Sequence, residues 1–142
     1  MQIENFIQRL DKFGRTNDSF EYSLGKQVDN SSFETVEKKL NVKIPDKIKA
    51  FYFVANGLKT ENPNFEIVEL NSWTVENGLI HFATFDSSNK VYFVVEINQA
   101  NEWTILNKEK EYEITLTISS FWSNKIWHWI EQNKRIWEDN WW

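Results

Sequence analysis

The apolar positions of this chain change period near residue 57. Before it they recur at helical spacing; after it they run or alternate as strands, until a helical stripe returns near the end. Phe6, Ile7, Leu10 and Phe13 form the first stripe, and Gly14 predicts its stop, giving a helix over 2–13. A polar stretch with a short strand over 20–24 follows. In "SSFETVEKKL" (31–40), Ser31 and Glu34 match a capping box, and Phe33, Val36 and Leu40 share one face of a short helix. "KIPDKIKAFYFVANG" (43–57) then breaks and restarts the helical path. Pro45 has no N–H and a fixed φ, so it suits a first turn and not an interior. Asp46 falls near the positive end of the new helix dipole. Ile48, Phe51, Tyr52 and Ala55 make the stripe, and Asn56-Gly57 supplies a left-handed stop.

Five strands are predicted beyond it: "FEIVEL" (65–70), "LIHFATF" (79–85), "VYFVVEI" (91–97), "WTIL" (103–106) and "YEITLTI" (112–118). Asp86-Ser87-Ser88-Asn89 is a turn cluster, so the second and third form a hairpin. "VYFVVEI" reads as a central strand covered on both faces. The last strand alternates, with Glu111, Glu113, Thr115 and Thr117 on a wet face. Ser119 or Ser120 caps a closing helix whose stripe is Trp122, Ile126, Trp129 and Ile130. Segregated elements of this kind predict an α+β fold: N-terminal helices, a central, mainly antiparallel sheet of about five strands, and a C-terminal helix.

Composition adds limits. A length of 142 residues fits a single domain over 1–142. Aromatics make up 16%, so the core is expected to rest on Phe and Trp as much as on Leu. There is no cysteine, which excludes disulfides, thiolate metal sites and a thiol nucleophile. The charged N-terminus does not read as a signal peptide, so none is expected, and no apolar run approaches the ~18 residues that cross a membrane. The expectation is a soluble cytoplasmic protein. The net charge of −5 argues against nucleic-acid binding, which depends on neutralising phosphates. That charge is uneven. Residues 1–57 are net +1, residues 58–118 net −6 and residues 119–142 neutral.

Catalytic signals are weak. His81 and His128 lack the convergent neighbours of a zinc site. No Gly-x-Ser-x-Gly elbow accompanies Ser87-Ser88, and four glycines leave no Gly-rich phosphate loop. Glu109, Glu111 and Glu113 could pair for acid–base work, but Glu111 and Glu113 fall on the wet face of a strand, which favours plain surface carboxylates. No enzyme and no cofactor are expected.

The order of these elements resembles the SUKH superfamily. The matching residues are Leu40, Ile44, Pro45, Phe51, Asn56 and Gly57, then Leu79, Ile80 and Phe82 on a strand, the run 91–97 after its turn, and the capped helix over 120–130. The resemblance covers about 32–131. It departs at "DSSNK", where the family's turn is often rich in Asp and Gly, and at Ile48, where many members carry an aromatic. It implies function by binding. Most bacterial members look like immunity proteins that neutralise secreted polymorphic toxins; eukaryotic relatives include a cell-wall synthesis regulator that works through protein contacts.

For a protein partner the acidic middle segment matters most, because a field of one sign speeds encounter with an opposite one. Glu66, Glu69, Glu76, Glu109, Glu111 and Glu113 are candidate contacts. Trp73 and Trp103, near strand ends, are candidate anchors, since Trp is enriched at hot spots. The expected partner is a basic toxin domain, a nuclease among the options; the alternative is an intracellular interaction or regulatory module with no toxin partner. Oligomeric state and the role of Trp141-Trp142 stay open.

Overall fold

In the computed structural model, residues 3–108 and 111–136 are described. Three helices open the chain: α1 (Ile3–Thr16), α2 (Asn30–Leu40) and α3 (Asp46–Val54), with strand β1 (Glu21–Leu24) between the first two. Then come β2 (Leu58–Glu61), β3 (Phe65–Ile67), a 3-10 turn at Leu70–Ser72, β4 (Val75–Glu76), β5 (Leu79–Phe85), β6 (Asn89–Ile97), β7 (Trp103–Asn107) and β8 (Tyr112–Thr115). A helical path closes the described chain: α4 (Ile118–Ser120), a π-helical turn (Phe121–Lys125) and α5 (Ile126–Ile130). The α+β class is as predicted, with an antiparallel sheet of eight strands in place of about five. Its order is β1-β2-β3-β5-β6-β7-β8, and β4 pairs with β5 beside β3.

The Pro45 corner works largely as the sequence indicates. Pro45 is the N-cap of α3, and its carbonyl accepts from the N–H groups of Ile48 and Lys49, both at 3.0 Å. One side chain pins the corner. The Glu37 carboxylate accepts from the Ile44 N–H at 2.8 Å and pairs with Lys49 at 3.5 Å. Asn41, at φ 55, supplies the left-handed end of α2. The end of α3 is different from the expectation: Ala55 is its C-cap. Asn56 is buried and its Oδ1 accepts from the Leu70 N–H at 2.9 Å, holding the 3-10 turn. Gly57 takes φ 90, and a Cβ there would stand 2.9 Å from Glu69 Cγ.

Two predicted caps shift along the chain. Asp29, not Ser31, caps α2, its carboxylate accepting from the Ser32 N–H at 3.1 Å. Thr117, ahead of Ser119 and Ser120, caps α4, accepting from the Ser120 N–H at 3.1 Å. Glu102 assists. It is a buried carboxylate, 3% exposed, whose Oε1 accepts from the Ile118 N–H at 2.9 Å, beside the positive end of the same helix.

The core is aromatic. Phe6 meets Phe51, Trp122 and Trp127; Phe82 stacks on Phe93 at 3.9 Å; Phe121 packs against Phe65, Phe82 and Phe85. These contacts join the helices to one face of the sheet in a single core. Among the described residues, the other face contributes nothing to it.

Candidate functional site

Strand pairing fixes which side chains share the uncovered face, because residues directly opposite across an antiparallel ladder project to the same side. One row runs Ser23–Lys59–Glu66–Thr84–Lys90 across β1, β2, β3, β5 and β6. A second runs His81–Tyr92–Leu106–Glu113 from β5 to β8. A third joins Glu76, Leu79 and Val94. Glu21 and Glu61, opposite each other, close the β1 edge. The bulge between His81 and Ala83 lets Phe82 and Ala83 both point inward while His81 and Thr84 both point out.

The centre of this face is apolar and half-buried: Leu79, Tyr92, Val94 and Leu106. Around it, among the described residues of these rows, stand five glutamates (21, 61, 66, 76 and 113) and two lysines (59 and 90), a formal charge of −3. Glu66 lies 3.5 Å from Lys59, an exposed pair of small energetic weight. Glu21 and Glu61 are like charges in register, an arrangement that costs stability unless a cation joins them. From Glu66 on β3 to Glu113 on β8 is four strand spacings, about 19 Å.

The predicted residues therefore divide. Glu66, Glu76 and Glu113 come together on one face. Glu69 is exposed beyond the end of β3, and an open trough of about 470 Å³ links it to Glu66, Lys59 and Ser23. A neighbouring concavity of about 370 Å³ holds Glu61, Thr84 and Lys90. Glu111 is exposed at φ 49 in the turn before β8, off the strand rows. Glu109 lies outside the described residues. The tryptophans require a correction. Trp73 is 1% exposed and Trp103 2%, packed against each other and against Phe93, so neither offers a ring to a partner. The 3-10 turn at Leu70–Ser72 carries Trp73 inward, and Trp103 opens β7 on its inner side.

Sequence reasoning also missed the apolar centre. Among the described residues, "VYFVVEI" is covered on one face: Val91 and Phe93 are buried, while Tyr92 and Val94 face out. The alternation in "LIHFATF" was the available signal, since Ile80 and Phe82 go in and Leu79 and His81 go out. A separate groove of about 650 Å³ runs between the Pro45 corner and the end of β6, lined by Val42, Pro45, Val95 and the exposed Ile97.

His81 sits inside the outer face. Its Nε2 lies 3.0 Å from the Ala83 carbonyl and 2.8 Å from Thr84 Oγ1, and its ring is 5.6 Å from that of Tyr92. A carbonyl only accepts, so Nε2 carries the proton. Burial holds the imidazole below its usual pKa of 6.5, and nearby Lys90 adds to this. The folded state thus binds fewer protons than the unfolded state near and below that pH. Stability from this group is present above about pH 6.5 and falls as the pH drops through the lowered pKa. The stability lost between about pH 7 and pH 5 is therefore expected to be smaller in His81→Gln than in the parent, measured by urea unfolding at each pH. Equal losses in the two proteins would show that His81 is not desolvated.

Among the described residues no three acidic or histidine side chains converge to hold a metal ion, and no helix is long and apolar enough to cross a membrane. Compared with known proteins, the chain matches no family model and no curated protein.

Proposed function

We propose that this chain is an immunity-type binding protein of the SUKH kind, which neutralises a basic toxin domain by stoichiometric occlusion, without turnover. The observation that carries this reading is the uncovered sheet face. Its apolar centre gives a partner surface to bury, and its glutamate rim selects for positive charge. A toxin that handles nucleic acid needs a cationic cleft for phosphate. A face of formal charge −3 complements such a cleft and speeds encounter with it. Glu66, Glu76 and Glu113 are the contacts from the rim, and Leu79, Tyr92, Val94 and Leu106 those from the centre.

The test is to co-express the protein with the toxic domain of a secreted protein encoded beside it. The expected result is a one-to-one complex on gel filtration and loss of toxicity. Free toxin with undiminished toxicity would defeat the reading. A complex with a basic protein that is not a toxin would favour the regulatory alternative.

A further inference from the structure

The chain has two Asn-Gly pairs, Asn56-Gly57 and Asn77-Gly78, and the fold treats them oppositely. Asn-Gly is the dipeptide most open to spontaneous deamidation. The glycine amide nitrogen attacks the asparagine side-chain carbonyl carbon and forms a ring C–N bond. The side-chain amide C–N bond breaks and ammonia leaves, taking up the proton that the glycine nitrogen loses. Water then opens the cyclic imide at either carbonyl, giving aspartate or isoaspartate. Glycine favours the attack because it has no Cβ to crowd the ring.

At residues 56–57 both reacting groups are engaged. Asn56 is 8% exposed and its Oδ1 accepts from the Leu70 N–H. The Gly57 N–H donates to the Ala55 carbonyl at 2.9 Å. At residues 77–78 the surroundings are open. Both residues are exposed and join β4 to β5 as a two-residue turn. Their φ values of 53 and 73 are those of a type I′ hairpin, which explains the Asn-Gly choice. Among the described residues, no atom beyond Gly78 and its chain neighbours lies within 4 Å of where a Gly78 Cβ would be. What Val95 holds, at 2.8 Å, is the Gly78 carbonyl, leaving the amide nitrogen out of that contact. β4 has two residues, so this hairpin end opens more readily than the buried Asn56 site.

We propose that Asn77 is a site of spontaneous deamidation, and that Asn56 is protected by the fold. Conversion places a new carboxylate beside Glu76, at the rim of the outer sheet face. In the isoaspartate form the backbone runs through an extra carbon, which a two-residue turn has no slack to absorb, so the β4–β5 pairing is lost.

The test holds the folded protein in mildly alkaline buffer over days and maps both peptides by mass spectrometry with isoaspartate detection. Asn77 is expected to convert at least about tenfold faster than Asn56, since exposing Asn56 requires breaking a buried hydrogen bond. The same incubation in urea should bring the two rates together. Equal rates in the folded protein, or no conversion at Asn77 while the unfolded control reacts, would overturn the proposal. No partner enters this measurement, so its failure is independent of the binding function.

Discussion

Replacing Trp73 by alanine is expected to destabilise the protein by about 3–5 kcal/mol. The indole lies edge-on to Tyr52 at 5.1 Å and packs against Phe93 and Trp103 at 5.7 and 6.2 Å. Its Nε1 donates to the Tyr52 hydroxyl at 3.3 Å, and that hydroxyl donates to the Val68 carbonyl at 2.8 Å. Truncation removes the ring from all of these and leaves a void that rigid aromatic neighbours cannot collapse to fill. Trp73→Phe separates the two contributions. It keeps an aromatic ring in the site and loses the hydrogen bond, which costs about 1 kcal/mol beyond the packing change. Urea unfolding checks both, as a lower midpoint at an unchanged slope. A Trp73→Ala protein as stable as its parent would return this side chain to the surface and reopen the anchor reading.

That correction shows where sequence reasoning stops. A tryptophan near a strand end reads as a surface anchor because turns are usually wet. The fold-back that buries Trp73 is held by Asn56 reaching Leu70, fourteen residues along the chain, and no local pattern displays such a bond. The helices were legible because their signals are local: Pro45 starts α3, and the stripe of Ile48, Phe51 and Tyr52 predicts its buried face. The 79–85 hairpin was legible for the same reason, through its turn cluster and alternation. β2 and β4 were not. Four residues, "LKTE", and two, Val75-Glu76, are too short for a period, and they are strands because neighbours on the sheet supply their hydrogen bonds.

The candidate surface was half legible. Charge counting located the acidic segment but not the face that gathers Glu66, Glu76 and Glu113, since that depends on register across β3 to β8. The apolar run "VYFVVEI" announced burial without saying by what. Val91 and Phe93 are buried in the core, where Phe93 meets Trp73, Phe82 and Trp103; Tyr92 and Val94 have no described layer above them. A sheet face of this kind is what a binding protein would retain.

Charge reversal of Glu66, Glu76 and Glu113 to lysine, together, is therefore expected to abolish most of the affinity for the proposed toxin partner while leaving the fold intact. All three lie on the wet face, where substitutions usually stay within about 0.5 kcal/mol each; Glu66→Lys also sets a like charge opposite Lys59, a further cost of roughly 0.2–1 kcal/mol. The loss should appear mainly as slower association, about tenfold or more at low salt, and should shrink as salt screens the rim. Tyr92→Ala probes the centre instead. It is expected to weaken binding by about 2 kcal/mol, roughly 30-fold, mainly by faster dissociation, because a desolvated aromatic anchor acts after encounter. Total charge is the obvious confounder, so the control reverses Glu4, Asp18 and Glu34, exposed on the helices and their loop, with the same net change. Surface plasmon resonance against the toxin domain separates the cases. If the outer face is the site, the two triple variants differ although their charge is identical. If both lose affinity alike, net charge alone drives association and the sheet face has no special part in it.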